Sequence, residues 1–141
     1  MNFGITVLTL GVRDLESAVR FYREGLGLST EGIVGTEIEF GAVAFFDVQP
    51  GLKLALWPLA SIAHDTGRPA PDRFTGAMTI GFNVDSKHAV DVAFEQAGAA
   101  GATPLKRPAE TFYGGYAGYF LDPDGHVWEV VYNPDFDQIG A

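Results

Sequence analysis

The chain contains no cysteine, which excludes disulfides, thiolate metal ligands and cysteine nucleophiles. Cations are scarce too: nine Lys and Arg stand against eighteen Asp and Glu, for a formal net charge of −9. Attraction to a phosphate backbone rests on clustered Lys and Arg, so no nucleic-acid partner is expected. No apolar run approaches the ~20 residues of a membrane span. The first residues also lack the basic-then-apolar pattern of a secretory signal. The expectation is therefore no membrane partner and a cytoplasmic location.

Apolar residues make up 47% of the 141, enough for the core of one compact unit. The most informative stretch is Gly114-Gly115-Tyr116-Ala117-Gly118-Tyr119-Phe120-Leu121-Asp122-Pro123-Asp124-Gly125-His126-Val127-Trp128-Glu129-Val130. Asp122, Pro123 and Gly125 stand where a type I turn wants them, which predicts a hairpin. On its second strand Glu129 alternates with Val127 and Val131, opposite to Trp128, Val130 and Tyr132. An unpaired buried carboxylate costs several kcal/mol, so Glu129 binds a cation, pairs with a donor, or faces a wet cavity.

An internal repeat organises the rest. Leu10 and Val12 correspond to Phe82 and Val84 at a shift of 72, whereas Asp14 with Asp85, Val19 with Val90 and Gly27 with Gly98 match at 71. This places a lost residue at the strand–helix junction, with Asp14 and Asp85 capping the two helices and Gly27 and Gly98 ending them. Leu15, Ala18, Val19 and Tyr22 form one apolar stripe, and Ala89, Val90, Ala93 and Phe94 the other. In the first half, 37–48 (broken near Gly41) and 52–57 read as strands; in the second, 77–84, 102–105, 115–121 and 126–132 do. Each half is then β-α-β-β-β, and the halves are expected to share a sheet. Module 1 spans about 3–58 and module 2 about 77–134. The connector, 59–76, is a tether, a lid or a dimer contact.

The hairpin, together with Leu10-Gly11-Val12-Arg13-Asp14-Leu15-Glu16-Ser17-Ala18-Val19-Arg20-Phe21-Tyr22 and Gly25-Leu26-Gly27-Leu28, resembles the vicinal oxygen chelate family. That family includes glyoxalase I, extradiol dioxygenases, fosfomycin-resistance proteins and bleomycin-binding proteins. The resemblance covers nearly the whole chain. It implies a single α+β domain over 1–141, with two tandem βαβββ modules forming a cupped, half-closed barrel of mixed sheet and helices outside. It also implies a homodimer with a concave pocket in each subunit.

Enzymes of this family usually hold a divalent ion with side chains from the first strand of each module and the last strand of one or both. Transferred residue by residue, the resemblance puts these positions at Val7, Thr79, Ala55 and Glu129. Valine has no lone pair and threonine is a poor transition-metal ligand, so only Glu129 is retained and no metal or other cofactor is expected. His64, His88 and His126 fall in the connector, at a helix start and in the hairpin turn, so none is expected to rebuild the site. Tyr119 matches a pocket aromatic of the fosfomycin-resistance branch.

Thr79 and Asn83 share strand parity and supply neutral polar groups, while Trp57, Tyr113, Tyr116 and Tyr119 supply aromatic walls. The expected ligand-binding set is thus Val7, Ala55, Trp57, Thr79, Asn83, Tyr113, Tyr116, Tyr119 and Glu129. Two functions follow. The first is a metal-free, bleomycin-resistance-like protein that binds a small aromatic or cationic molecule. The second is a lyase, isomerase or oxygenase with Glu129 as base and Tyr119 as acid or positioning group.

Overall fold

The computed structural model describes residues 1–72 and 77–135. The chain divides into two compact units, Met1–Asp72 and Arg73–Ala141. Connector residues 73–76 lie outside the described residues.

In the first unit, β1 (Val7–Val12) leads into α1 (Leu15–Arg20), which continues as a π-helical turn over Phe21–Gly25. Asp14 caps α1, its carboxylate accepting from the Ser17 amide at 3.5 Å and the Ser17 hydroxyl at 2.8 Å. Three strands follow: β2 (Ser29–Val34), β3 (Val43–Gln49) and β4 (Leu52–Pro58). The sheet order is β1-β4-β3-β2, with β1 and β4 parallel and the other pairs antiparallel. Leu10, Val12, Ala44, Phe46, Leu54 and Leu56 are buried together with Ala18, Val19, Phe21 and Tyr22 of the helical segment.

The second unit repeats this plan. Its elements are β5 (Thr79–Asn83), α3 (Lys87–Ala99), β6 (Thr103–Glu110), β7 (Tyr116–Leu121) and β8 (Val127–Tyr132), in sheet order β5-β8-β7-β6. Val90, Phe94 and Ala97 of α3 are buried along with Phe120, Trp128 and Val130 of the sheet. The β7–β8 hairpin closes as its residues dictate: the Gly125 amide donates to the Asp122 carbonyl at 3.0 Å. The Asp122 carboxylate accepts from the amides of Asp124 and His126 at 2.9 and 2.8 Å.

Several expectations are corrected. Each unit has its own sheet, because in both the first strand pairs in parallel with the last strand of the same unit. The second strand lies at Ser29–Val34 rather than at 37–40. Gly35 and Phe40 adopt positive φ (78° and 59°), and the Gly41 amide donates to the Ile38 carbonyl at 2.9 Å, making 35–41 a turn despite its alternating pattern. The second helix is capped by Ser86, whose hydroxyl accepts from the Ala89 amide at 3.0 Å, not by Asp85. Ser86 lies 72 residues after Asp14, so the offset falls inside the first helical turn rather than at the junction. Gly98 lies within α3, and Gly101, with φ 112°, follows its end. Strand β6 runs on to Glu110 and tolerates Pro104 and Pro108 because it is an edge strand with register shifts. Part of the connector is helical: α2 (Leu59–Thr66) ends at Gly67, whose φ is 75°.

Candidate functional site

The parallel β5–β8 and antiparallel β7–β8 ladders put Gly81, Glu129 and Tyr119 in one cross-strand row, extended on β6 by Lys106. Directly opposed residues share a face. This row therefore lies on the face away from α3, with Thr79, Val127 and Leu121 in the row on one side and Asn83, Val131 and Ala117 in the row on the other.

Glu129 is half-buried between the buried Val127 and Val131. Its carboxylate has a donor, the Tyr119 hydroxyl across the hairpin. That hydrogen bond is the first cause of a Tyr119 pKa raised above the ordinary tyrosine value; partial burial and the Glu129 charge push the same way, as does Tyr113 nearby. Losing the phenol proton would place two anions side by side in an apolar setting.

Gly81 is the residue that sequence reasoning missed. A Cβ built there would stand 3.2 Å from Glu129 Oε1, and its three nearest atoms all belong to Glu129. The available signal was an isolated glycine in the strand pattern Thr79-Ile80-Gly81-Phe82-Asn83, which marks a close approach.

The other expected residues divide by unit. Val7, Ala55 and Trp57 share a sheet face in the first unit, where Thr9, Ala55 and Phe45 form the row equivalent to Gly81, Glu129 and Tyr119. On that face Gly11 admits α2: a Cβ at Gly11 would lie 2.5 Å from Leu59 Cδ2 and 3.1 Å from Ile62 Cδ1. Trp57 Nε1 donates to the Phe40 carbonyl at 3.2 Å, and the Phe40 ring stacks on His64 with centroids 4.1 Å apart. In the second unit Thr79, Asn83, Tyr119 and Glu129 share one face. Tyr116 does not join them. It alternates onto the α3 side, where its hydroxyl donates to Asp91 at 2.9 Å.

A model of the Glyoxalase/Bleomycin resistance protein/Dioxygenase superfamily matches residues 4–130. The chain belongs to this superfamily. A glyoxalase-related enzyme from Fulvimarina pelagi is similar at 32% identity, with 97% of this chain and 94% of that one covered and a TM-score of 0.81. A glyoxalase/bleomycin resistance protein/dioxygenase from Nocardioides is 29% identical over 100% and 90%, with a TM-score of 0.75. A lactoylglutathione lyase from Agrobacterium tumefaciens, at 24% identity over 94% and 97% and a TM-score of 0.68, shares the fold. Curated protein sequences contain no match.

The superfamily's divalent ion is not fitted by the residues present. The positions that the resemblance designates carry an isopropyl group (Val7), a methyl (Ala55), one hydroxyl (Thr79) and one carboxylate that already accepts from Tyr119 (Glu129). Among the described residues no three His, Cys, Asp or Glu are grouped to hold an ion.

Proposed function

We propose that this superfamily member binds a small aromatic or cationic organic molecule without a metal ion, on the face of the second sheet that carries Glu129. The observation behind this reading is the Tyr119–Glu129 pair. A carboxylate held by a phenol, walled by Ala117, Val127 and Val131 and flanked by Thr79 and Asn83, combines apolar surface with a few convergent polar atoms. An ionised carboxylate has more acceptor positions than one phenol uses. The remainder suits a ligand that donates.

The test is Glu129→Gln, which keeps the shape and removes the charge. Affinity for an aromatic amine, read by calorimetry within a panel of aromatic amines, carboxylates and neutral aromatics, is expected to fall about tenfold, the scale of one hydrogen bond to a charged group. Unchanged affinity would remove the pair from the account. Elemental analysis of protein purified without chelator tests the metal: a stoichiometric ion would overturn the metal-free reading. The homodimer is part of the proposal through the superfamily resemblance, and sedimentation equilibrium tests it.

A second reading makes Glu129 the base of a lyase, isomerase or oxygenase. It draws on the description of the Fulvimarina relative as an enzyme. Turnover of a small oxygenated substrate that disappears in Glu129→Gln would establish it.

A further inference from the structure

We infer that Gly81 is the specificity determinant of the Tyr119–Glu129 site: having no side chain, it leaves Glu129 Oε1 open to a ligand ammonium or amidinium group entering from the β5 side. The inference rests on the ligand-binding reading above and narrows it to cationic donors.

Glycine weakens a strand interior because it has nothing to pack and more freedom to lose. Its backbone shape does not require it at position 81, since Gly81 is not among the glycines with positive φ. Unlike Gly11, it admits no aliphatic side chain from another element: the three atoms nearest a built Cβ are Oε1, Cβ and the carbonyl oxygen of Glu129, at 3.2, 3.9 and 3.9 Å. The space it leaves borders a carboxylate oxygen.

A charge-assisted N–H···O contact needs the donor nitrogen within about 2.7–2.9 Å of the oxygen. A methyl group at Gly81 would stand in that approach. On the other side of Glu129, Tyr119 holds the carboxylate through its hydroxyl, so the β7 side is taken. Lys106, registered with Tyr119 on β6, stands two strand spacings, ~10 Å, from Glu129. Positive charge on β6 and a β8 carboxylate left open on its β5 side orient a cation toward Gly81. Thr79 and Asn83, two residues to either side along β5 and on the same face, are neutral and do not compete for it.

The experiment is an NMR-detected titration of the whole chain with three probes of one shape: benzylammonium, benzyl alcohol and phenylacetate. Benzylammonium is expected to shift the amide signals of Gly81 and Glu129 and to bind more tightly than the other two. Gly81→Ala, whose Cβ would press on Glu129 Oε1 from 3.2 Å, is expected to weaken benzylammonium about tenfold and benzyl alcohol less, with the fold checked by its unchanged amide spectrum away from the site. Gly81→Ser, whose hydroxyl would donate to Glu129 in place of the ligand, is expected to weaken benzylammonium as well. Undiminished benzylammonium binding in both variants overturns the inference. If the wild type binds benzyl alcohol as well as benzylammonium at these signals, the small-molecule site stands and the role of Gly81 fails. If no probe moves them, both fail.

Discussion

Tyr119 and Glu129 face each other across the β7–β8 hairpin, and their hydrogen bond shows how one residue sets the chemistry of another. Because the phenol donates to a carboxylate, the native state holds the Tyr119 proton above the ordinary tyrosine pKa of about 10. The native state thus binds more protons than the unfolded chain between these two values. The stability contributed is fully present below pH ~10 and is lost as pH rises through the native pKa. In Glu129→Gln the charge is gone and the acceptor weaker, so Tyr119 is expected to titrate lower, toward the ordinary value. NMR titration of labelled tyrosine checks this, and an unmoved Tyr119 would mean that burial dominates. Glu129 was legible from its place on an apolar strand, and so was its need for a donor. The predicted turn also set Tyr119 across the hairpin from it, but that the phenol donates to this carboxylate, while the phenol of Tyr116 turns to Asp91, depends on side-chain geometry that the pattern does not carry.

At the scale of elements, the repeat was visible because both copies carry the same apolar stripes, but its register was settled by capping chemistry. Asp85 repeats Asp14 in sequence, yet the Ser86 hydroxyl reaches the Ala89 amide. Ser86→Ala is expected to cost about 1 kcal/mol of stability, and Asp85→Ala, at an exposed position, no more than about 0.5 kcal/mol. Denaturant unfolding of the two variants checks the order, and the reverse order would return the cap to Asp85. Strand β2 escaped the sequence reading because Ser29-Thr30-Glu31-Gly32 has little apolar alternation, while Glu37-Ile38-Glu39-Phe40 has it and forms a turn. Tertiary pairing overrides local pattern in such edge segments. Helix α2 was read as connector because its fit depends on a bare backbone at Gly11, 48 residues before Leu59.

At the scale of the molecule, the net charge of −9 acts on the whole chain at once. Some of the described cations pair at the surface, as in Lys53–Asp47 and Lys87–Glu110, at 2.5 and 2.7 Å. Exposed pairs of this kind contribute roughly 0–1 kcal/mol each. Acids outnumber bases two to one, so mutual repulsion is expected to exceed the attraction of the pairs. Raising salt to about 0.15 M, where the screening length is ~8 Å, is accordingly expected to raise the thermal midpoint. A midpoint that falls with salt would show that the pairs outweigh the repulsion. The solubility minimum is expected near the pI of about 4.5.

The sequence by itself determined the two βαβββ repeats, the Asp-Pro-Asp-Gly hairpin, the missing ligand types at Val7, Ala55 and Thr79, and the isolation of Glu129. These depend on residue identity and on periodicities of a few residues, which a linear chain displays directly. Only the tertiary structure decided that Tyr119 serves Glu129 while Tyr116 serves Asp91, that Gly81 borders the carboxylate and that α2 covers Gly11. Each of these depends on which residues strand pairing and helix packing bring within a few ångströms of one another, and long-range register is not written in any local stretch of the chain.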